Sequence, residues 1–380
     1  MKIIHTADLH IGAKFVKFGL LGKELRMQIK NTLEKIAEEC IHSKVQLIVF
    51  AGDVFDSPYP SSGDVAFVRN VFRKISDNNT WIIVVPGNHD RLEDGSVWSE
   101  SEWGEIENLH VFNTLSREYY IESLKTFVYA NATFLQFSEI SPLLGISEII
   151  KENKKVRDAY HIVIGHGNLR MTNGSTNFPI DKREIVELSG DYVALGDWHS
   201  LLRVNSNSKE ITEYKYDRFT SPAFYSGSPE IVDMDQKGAG NIIQIELDQG
   251  SVSVRTRKVG KRFVDEIVIQ LESIASLDKL MEKICLGANV DLIRSVVLDG
   301  LSSFEIDTEE LKENLKGKFW NINIVKKFRN PKIDISKLEE GTVLGNFVKM
   351  MNEAIANSPD DARIQDALDL GLEYLNNLSK

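Results

Sequence analysis

Five short motifs in this chain bring together the side-chain types that hold metal ions. In order they are Asp8-Leu9-His10, Gly52-Asp53, Gly87-Asn88-His89-Asp90, Gly165-His166-Gly167 and Gly196-Asp197-Trp198-His199. Their donor groups are carboxylates, imidazoles and an amide, with no thiolate, which favours Mn²⁺, Mg²⁺ or Fe²⁺ over a structural zinc ion. Seven candidate ligands are too many for one ion. They predict two ions about 3.5–4 Å apart that share one carboxylate.

Each motif follows a short apolar run that predicts a strand. The runs are Lys2–Thr6, Val45–Ala51, Trp81–Val85, Tyr160–Ile164 and Tyr192–Leu195. Apolar residues at helical spacing predict helices at Glu24–Cys40 and Asp64–Ile75. Ligands that follow strands collect at one edge of an α/β sheet. A single motif could be a polar turn or a helix cap, but the ordered set favours a metal centre.

Composition limits the class of protein. The 380 residues include 45 Lys+Arg and 56 Asp+Glu, so the net charge is −11, which argues against a passive DNA-coating protein. A hydrophobic fraction of 42% excludes a disordered chain, and no apolar run approaches the ~20 residues of a membrane span. The first residues lack a signal-peptide pattern, and Cys40 and Cys285 cannot form a disulfide framework. These features predict a cytoplasmic location.

Later segments predict a second sheet, a small separate unit and a helical tail. The candidate strands of the second half include Thr126–Ala130, Ala223–Ser226, Ile242–Leu247 and Val252–Val254. From Phe263 to Val325 the predicted order is β-α-β-α-β, followed by a polar linker, Lys326–Glu340, and two amphipathic helices. We therefore expect an α/β core at residues 1–260, an α+β unit at 261–330, and the linker and tail at 331–380.

The order DxH, GDxxD, GNHD, GHG and GDxH resembles that of the calcineurin-like metallophosphoesterases. Two stretches, from Gly52 to Asp56 and from Asp191 to His199, are similar to the SbcD-type DNA exonuclease subunits of that superfamily. The resemblance implies a two-sheet sandwich flanked by helices, with an α+β capping domain and a C-terminal helical tail. The motifs lie within the core, and the later unit matches a capping domain in position and length only.

The resemblance implies a role for each motif residue. One metal would be held by Asp8, His10, Asp53 and His199, and the other by Asp53, Asn88, His166 and Asp197. Two such ions, most readily Mn²⁺, would stabilise a phosphodiester and lower the pKa of a bound water. His89 would position the phosphate and protonate the leaving oxygen. Asp90 would either orient His89 or cap the next turn.

Two positions depart from the family pattern. The last motif more often has a histidine where this chain has Asp197, which leaves the metal preference open. Asp56 stands where some archaeal relatives have a histidine, so no second catalytic histidine is predicted there. Trp198, between two ligands, is predicted to pack beneath them in preference to stacking on a base.

Basic residues near the predicted core–cap junction form a candidate DNA-binding group. They are Arg255, Arg257, Lys258, Lys261 and Arg262, and a second group contains Lys326, Lys327, Arg329 and Lys332. Such groups fit a DNA-backbone footprint or, equally, a solvated strand edge.

The leading hypothesis is a two-metal DNA nuclease, exonuclease or endonuclease, that acts in DNA processing, repair or defence. One alternative is a phosphodiesterase for small molecules or nucleotides on the same core. The other is a weakly active scaffold for an ATPase.

The resemblance further implies two protein partners. A homodimer would use Ala66–Ile75 with Trp98, Trp103 and Ile106, unless these side chains pack on their own core. An SMC-like, SbcC-type ATPase subunit would bind the tail helices, unless the tail folds back on the chain's own capping unit. The expected anchors are Phe347, Met351, Ile355, Leu368, Leu372 and Leu375.

Overall fold

A computed structural model describes residues 1–156, 158–170, 177–204, 213–233, 236, 238–329, 341–358 and 362–378. The chain divides into two compact units. The first comprises Met1–Asp265 with Asp291–Ile293, and the second comprises Glu266–Val290 with Arg294–Lys380. In the part of the chain that is described, no helix combines the length and the apolarity needed to cross a membrane.

The first unit contains thirteen complete strands and four α-helices among its described residues. The strands are β1 (Lys2–Thr6), β2 (Leu47–Ala51), β3 (Trp81–Val85), β4 (Leu109–Val111), β5 (Glu118–Ile121), β6 (Thr126–Tyr129), β7 (Tyr160–His166), β8 (Tyr192–Gly196), β9 (Leu202–Arg203), β10 (Glu213–Asp217), β11 (Ala223–Tyr225), β12 (Asn241–Leu247) and β13 (Ser251–Lys258). The helices are α1 (Leu21–His42), α2 (Ser62–Ser76), α3 (Ile146–Asn153) and α4 (Lys182–Leu188).

Two sheets form the first unit. One has the order β10-β13-β12-β1-β2-β3-β4, and the other has the order β5-β6-β7-β8-β11-β9. Strands β1 to β4 are parallel, with Ile3 opposite Leu47 and Leu47 opposite Trp81. Strands β6, β7 and β8 are parallel in the second sheet. Because parallel strands end on the same side, each sheet presents one carboxyl edge on which functional loops can collect.

The main core lies between the two sheets. Alternate residues of β2, such as Leu47 and Val49, pack in one buried cluster with Val128 and Ile162 of the second sheet. The opposite face of β2 contributes Phe50, whose ring lies 5.0 Å from that of Phe72 in α2. Strands buried on both faces explain why the sequence has continuous apolar runs there.

Local capping signals fix several helix ends. Ser61 accepts a hydrogen bond from Asp64 N at the start of α2, and Asp181 with Glu184 forms a capping box at the start of α4. Helices α3 and α4 cover the outer face of the second sheet, where Ile146 and Ile185 join the buried cluster around Val163. The result is a sandwich with helices on its outer faces.

The second unit contains a small sheet and two pairs of helices. The sheet consists of β14 (Phe263–Gln270), β15 (Leu292–Leu301) and β16 (Asn321–Arg329), in that order; the first three residues of β14 and the first two of β15 are assigned to the first unit. The helices are α5 (Leu277–Cys285), α6 (Thr308–Asn314), α7 (Val343–Asn357) and α8 (Ala362–Leu378). Val348 of α7 packs against Leu368 and Leu372 of α8, so the last two helices form a hairpin.

The predicted fold class is confirmed, because the chain is an α/β sandwich followed by a β-α-β-α-β unit and two helices. The predicted linker begins too early: β16 continues to Arg329, and residues 330–340 lie outside the described part. The pattern also misses α3, α4 and the short strands β4, β5, β9 and β10. The boundaries 1–260, 261–330 and 331–380, and the capping role, stay predictions.

Burial of the α1 face predicts a measurable cost for one substitution there. Leu33 of α1 is fully buried, whereas Leu20 just before α1 is 99% exposed. Leu33→Ala should lower the free energy of unfolding by about 2–5 kcal/mol, because it removes buried methyl groups and leaves a cavity. Leu20→Ala should change it by less than about 0.5 kcal/mol. Urea unfolding of both variants checks this, and equal effects would contradict the assigned burial.

Candidate metal centre

The candidate ligands come from the carboxyl ends of strands in both sheets. Asp8 and His10 follow β1, Asp53 follows β2, and Asn88 follows β3. His166 ends β7, and Asp197 and His199 follow β8 in the second sheet. Backbone hydrogen bonds join these loops: Asp8 N donates to Gly52 O and Gly167 N donates to Gly196 O, both at 3.1 Å. All seven predicted ligands are therefore placed around one region.

Four of the candidate ligands have an unusual backbone conformation. Asp8, His10, Asp53 and Asp197 have φ angles of 55°, 50°, 52° and 88°. This left-handed region is uncommon for residues other than glycine, and strained residues of this kind cluster at functional sites. The strand ends thus turn sharply, which directs successive side chains toward one centre.

Glycine in two of the motifs permits close packing around the ligands. A Cβ atom at Gly52 would lie 1.9 Å from His166 Nδ1, and one at Gly87 would lie 2.1 Å from Asp53 Oδ1. Neither contact is possible, so a side chain at either position would displace a ligand. Gly52 also has a φ of 95°, which glycine adopts without strain.

Asp53 lies at the middle of the cluster. Its Oδ1 atom accepts a hydrogen bond from His89 N at 2.9 Å. Its Oδ2 atom faces Nε2 of His166 at 3.4 Å and Nε2 of His10 at 3.7 Å. One carboxylate oxygen therefore stands between two imidazoles, which is the position that a bridging ligand requires.

Each of the three imidazoles is held through its Nδ1 atom. His10 Nδ1 lies 3.0 Å from Asp56 Oδ1, and His166 Nδ1 lies 2.9 Å from the carbonyl oxygen of Ala51. Gln236 Nε2 lies 2.6 Å from His199 Nδ1. In metal sites such contacts orient the ring and leave the other nitrogen for the ion. The sequence motifs do not predict that Asp56 and Gln236 orient these rings. Their contacts with His10 and His199 join segments that are distant in sequence.

The remaining groups complete the centre. Asn88 Oδ1 lies 2.9 Å from His166 Nε2, and Asp197 Oδ1 lies 3.7 Å from the same atom. His10 and His199 approach each other with 3.1 Å between their Nε2 atoms. Asp8 is fully buried, and its carboxylate accepts a hydrogen bond from Asp197 N. The amide of Asn168 donates to Asp197, a contact that the motifs do not predict.

The buried charges shift one another's pKa values. Burial raises the pKa of Asp8 to about 7, against the opposing effect of His166. Burial alone would lower the pKa of His10, but Asp56, Asp53 and Asp8 outweigh it and raise that pKa to about 9. The pKa of His166 is raised well above its ordinary value, despite burial, chiefly by Asp53. Burial thus raises the pKa of Asp8, and the closeness of several carboxylates raises the pKa values of His10 and His166.

The donor set fits divalent metal ions. Three overlapping groups each place their ligand atoms within 4.8 Å of one another: Asp8 with His10 and His199, His10 with Asp53 and His89, and Asp8 with Asp53 and His166. Carboxylate oxygens and imidazole nitrogens dominate, and no cysteine takes part in these groups. The division of the seven residues between two ions stays a prediction.

His89 lies at the rim of the cluster. Its side chain is 44% exposed, and its ring meets that of His10 edge-on, with 4.8 Å between the centroids. Asp56 is its acidic neighbour, since Oδ1 of Asp56 lies 3.6 Å from His89 Nδ1. The His89 ring is therefore open to solvent, with the Asp56 carboxylate beside it.

Asp90 does not orient His89 in this structure, so the catalytic assignment made for it needs correction. Asp90 is fully buried, and its carboxylate accepts hydrogen bonds from Gly87 N at 2.7 Å and Phe55 N at 3.2 Å. Burial and the charge of Asp53 raise its pKa to about 6. Its contacts fix the loop that carries Asn88 and His89. They are made to Gly87 and Phe55, and therefore differ from the predicted cap of the turn that follows Asp90.

The basic group on and after β13 is largely neutralised. Arg262 is 1% exposed and pairs with Glu24 and Asp291, so its assignment to DNA binding is wrong. Arg255 lies 3.5 Å from Glu246, and Arg257 lies 3.7 Å from Glu39. Lys261 lies 3.6 Å from Asp291, and Lys258 donates to the carbonyl oxygen of Ala239. In the second basic group, Lys332 lies outside the described residues.

Trp198 differs from its predicted environment, whereas Trp98 and Trp103 match one of the two alternatives stated for them. Trp198 is 40% exposed, so the prediction that it packs beneath the ligands is wrong. Trp98 and Trp103 are 0% and 4% exposed, and their rings lie 4.9 Å apart beside Phe55 and Phe72. They pack on their own core, which was the alternative to an interface, and provide no exposed dimer surface.

The chain matches a protein family and is similar to curated proteins, including one from Bacillus subtilis and one from Staphylococcus epidermidis. The family model described as calcineurin-like phosphoesterase matches residues 1–209. The chain is 28% identical over 213 residues to the uncharacterized metallophosphoesterase YhaO of Bacillus subtilis (strain 168), covering 52% of this chain and 48% of that protein. It is 22% identical over 406 aligned positions to the SbcD subunit of nuclease SbcCD from Staphylococcus epidermidis (strain ATCC 12228 / FDA PCI 1200), covering 98% and 99%.

Solved structures that are similar to part of the chain include the following two. TT1561 of Thermus thermophilus is 13% identical with a TM-score of 0.40, covering 68% of this chain and 98% of that one. A dimetal phosphatase from Danio rerio is 10% identical with a TM-score of 0.42, covering 68% and 96%.

The raised histidine pKa values predict proton release when metal binds. His10, with its pKa of about 9, and His166 hold protons at a pH of roughly 7.5, whereas a ligating imidazole must be neutral. We expect about two protons to be released and the metal affinity to rise with pH up to about 9. Calorimetric titration with Mn²⁺ in buffers of different ionisation enthalpy measures this release. A binding enthalpy that is the same in all buffers would contradict the predicted proton release. The control is His42→Ala, which removes an exposed histidine outside the cluster.

Proposed function

We propose that this chain, which belongs to the calcineurin-like phosphoesterase family and is a metal-dependent phosphoester hydrolase, is a DNA nuclease. It would hydrolyse phosphodiester bonds during DNA processing, repair or defence. The similarity to the SbcD subunit of nuclease SbcCD supports this proposal because it extends over 98% of the chain and includes the second unit. The similarity to YhaO spans about half of each protein and supports only the phosphoesterase core.

The observation that carries the proposal is the placement of Asp53. One oxygen of this buried carboxylate faces His10 and His166, which come from different sheets. We assign Asp8, His10 and His199 to one ion and Asn88, His166 and Asp197 to the other, with Asp53 shared. When bound, two divalent cations supply charge neutralisation for a phosphodiester and lower the pKa of water. Mn²⁺ is the proposed ion, since the donors are oxygen and nitrogen.

The chain's own residues would complete the reaction. The exposed ring of His89 can hydrogen-bond a phosphate oxygen and donate a proton to the leaving sugar oxygen. Asp56 Oδ1 contacts Nδ1 of His10 and lies 3.6 Å from Nδ1 of His89. This carboxylate would therefore position both rings. Asp90 would act only by fixing the loop, through Gly87 N and Phe55 N.

One observation favours the alternative of a small phosphodiester substrate. The basic residues that suggested a DNA footprint are paired with Glu39, Glu246 and Asp291 or buried. Paired cations contribute little to phosphate binding, because their charge is already compensated. The scaffold alternative would instead require a centre that binds no metal, and the seven converging donors oppose it.

Comparison of two substrates tests the proposal. The full-length protein with Mn²⁺ should degrade end-labelled DNA, and His89→Ala should lower the rate by about 10²–10⁴-fold while the metal content is unchanged. Asp53→Ala should lose both ions by elemental analysis, because it removes the shared ligand. His42→Ala, on an exposed histidine at the end of α1, is the matched control.

Other outcomes would identify the alternatives. Hydrolysis of bis(p-nitrophenyl) phosphate without any cleavage of single- or double-stranded DNA would support a small-molecule phosphodiesterase. A protein that binds no Mn²⁺ would support the scaffold. Normal DNA cleavage by His89→Ala would remove His89 from the mechanism.

We also propose that the α7–α8 hairpin binds an SMC-like ATPase, but through a different face from the predicted one. Phe347, Met351 and Ile355 pack inside the hairpin, together with Leu368 and Leu372. A second apolar face is open to solvent in the described residues. It consists of Val343, Met350, Leu370 and Tyr374, which are 59–74% exposed. Exposed apolar side chains on two adjacent helices suit helix-in-groove binding.

Substitution on the open face tests this assignment. Met350→Ser with Leu370→Ser should weaken binding of the coexpressed ATPase at least tenfold, because central anchors carry most interface energy. The same variant should keep its melting temperature and its cleavage of single-stranded DNA. Phe347→Ser, inside the hairpin, is the comparison and should lower helix content. Unchanged ATPase binding by the Met350/Leu370 variant, measured by calorimetry, would contradict the proposed face.

A homodimer and a cytoplasmic location remain part of the proposal. The large apolar side chains expected to form the dimer surface are buried, except for the half-buried Phe67, so a dimer would need further surface residues. Both cysteines are free, which is consistent with a reducing compartment.

A further inference from the structure

A loop between β6 and α3 exposes large apolar side chains beside the metal centre. Residues 131–145, which we call the rim loop, contain five of them within eleven residues. They are Phe134, Leu135, Phe137, Ile140 and Leu144, with exposed fractions from 45% to 61%. Single exposed apolar residues are ordinary, but a group of this kind marks a contact surface.

One end of the rim loop is attached to the loop that carries Asn88 and His89. The carbonyl oxygen of Thr133 accepts a hydrogen bond from Leu92 N at 2.8 Å. Leu92 lies only two residues after Asp90, whose carboxylate is fixed to Gly87 N. Thr133, which precedes Phe134, is therefore attached to a residue three positions after His89.

The middle of the rim loop is attached to the loop that follows His166. Ser138 O accepts from Phe178 N at 2.8 Å, and Ser138 N donates to Asn177 Oδ1 at 2.9 Å. Asn177 O in turn accepts from Asn168 N, and the side chain of Asn168 contacts Asp197. The rim loop is thus held by two separate segments of the metal centre, and its exposed side chains have a fixed place beside it.

Three exposed cations lie on the segments that hold the rim loop. They are Arg170, Lys182 and Arg183. The backbone N–H of Arg170 donates to the carbonyl oxygen of Ile180. Lys182 and Arg183 lie in the first turn of α4, and Glu184 of that turn accepts a hydrogen bond from the Ser141 hydroxyl in the rim loop. Among the described residues, none of the three cations forms an ion pair. In a chain of net charge −11, such uncompensated cations contrast with the paired arginines of β13.

We propose that the rim loop and these cations bind a single-stranded segment of DNA next to the scissile bond. The proposal rests on the nuclease function proposed above. Phe134 and Phe137 would stack on bases, and Arg170, Lys182 and Arg183 would contact phosphates. Proteins that bind single strands combine aromatic side chains with unpaired cations in this way, because every base has an aromatic face. Within a duplex the bases are stacked on each other, so the rim loop selects opened ends.

Removal of the two aromatic rings tests base stacking. Phe134→Ser with Phe137→Ser should lower kcat/KM for fluorescein-labelled dT20 by at least tenfold, since each stack that is removed costs roughly 5- to 150-fold. The loss on dT20 should be at least ten times the loss on bis(p-nitrophenyl) phosphate, which has neither nucleobases nor neighbouring phosphates to bind the rim loop and its cations. Tyr120→Ser is the matched control, because Tyr120 is 39% exposed and pairs with Phe127 near the remote end of β6.

Every other result would contradict either the role of the rim loop in binding DNA or the proposed nuclease function. Equal losses on both substrates would mean that the rim loop supports the metal centre. Unchanged cleavage of dT20 by the Phe134/Phe137 variant would exclude base stacking. If the molecular mass of that variant by light scattering also differed from that of the wild type, the exposed side chains would belong to a contact between copies of the protein. If the wild-type protein hydrolyses bis(p-nitrophenyl) phosphate but not dT20, the nuclease function fails before the rim loop is tested.

Salt dependence tests the cations separately. Lys182→Ala with Arg183→Ala should reduce the slope of log binding constant against log salt concentration by about 0.7 for each phosphate that is no longer neutralised. Fluorescence anisotropy with labelled dT20 measures this slope, and Lys316→Ala, which removes an exposed lysine paired with Glu313, is the control. An unchanged slope would exclude these cations from the DNA path.

Discussion

A group of carboxylates that the fold withdraws from water is the constraint on which the rest of the structure depends. Asp8 and Asp53 are buried, and Asp197 is nearly so, at the place where the two sheets bring their strand ends together. Like charges in a poorly polar environment repel one another unless protons, imidazoles or cations compensate them. The core between the sheets supplies the packing energy that keeps these groups together, and the histidines supply part of the compensating charge.

The members of this group are well predicted from sequence, because strand ends are visible as apolar runs and the motifs follow them directly. Sequence alone does not distinguish Asp90 from Asp56. Both carboxylates lie near the same loop, but the path of the chain turns Asp90 toward Gly87 N and leaves Asp56 beside two imidazoles. The wrong assignment of Arg262 has a similar cause. Its acidic partners, Glu24 and Asp291, are distant in sequence, so spacing alone makes it resemble a surface cation.

Two other errors of the sequence-based prediction have different causes: some strands are too short to show a pattern, and the tail helices have apolar residues on more than one face. The strands β4 and β9 contain three and two residues, too few for periodicity to be visible, and they exist because neighbouring strands pair with them. In the tail, the helical pattern correctly predicts two helices. It does not say which of two apolar faces is internal, because Phe347 and Met350 both satisfy the spacing of an amphipathic helix. That choice is made by the packing of α7 on α8.

The left-handed backbone at Asp8, His10, Asp53 and Asp197 restricts how this centre can diverge during evolution. Asparagine, aspartate and histidine are the non-glycine residues that enter this region most readily. An exchange between histidine and aspartate at position 197 therefore satisfies the backbone as well as the metal. Cysteine or glutamate would strain the chain even where its side chain could reach an ion. At these four positions the fold therefore disfavours thiolate ligands, and with them the binding of soft metals.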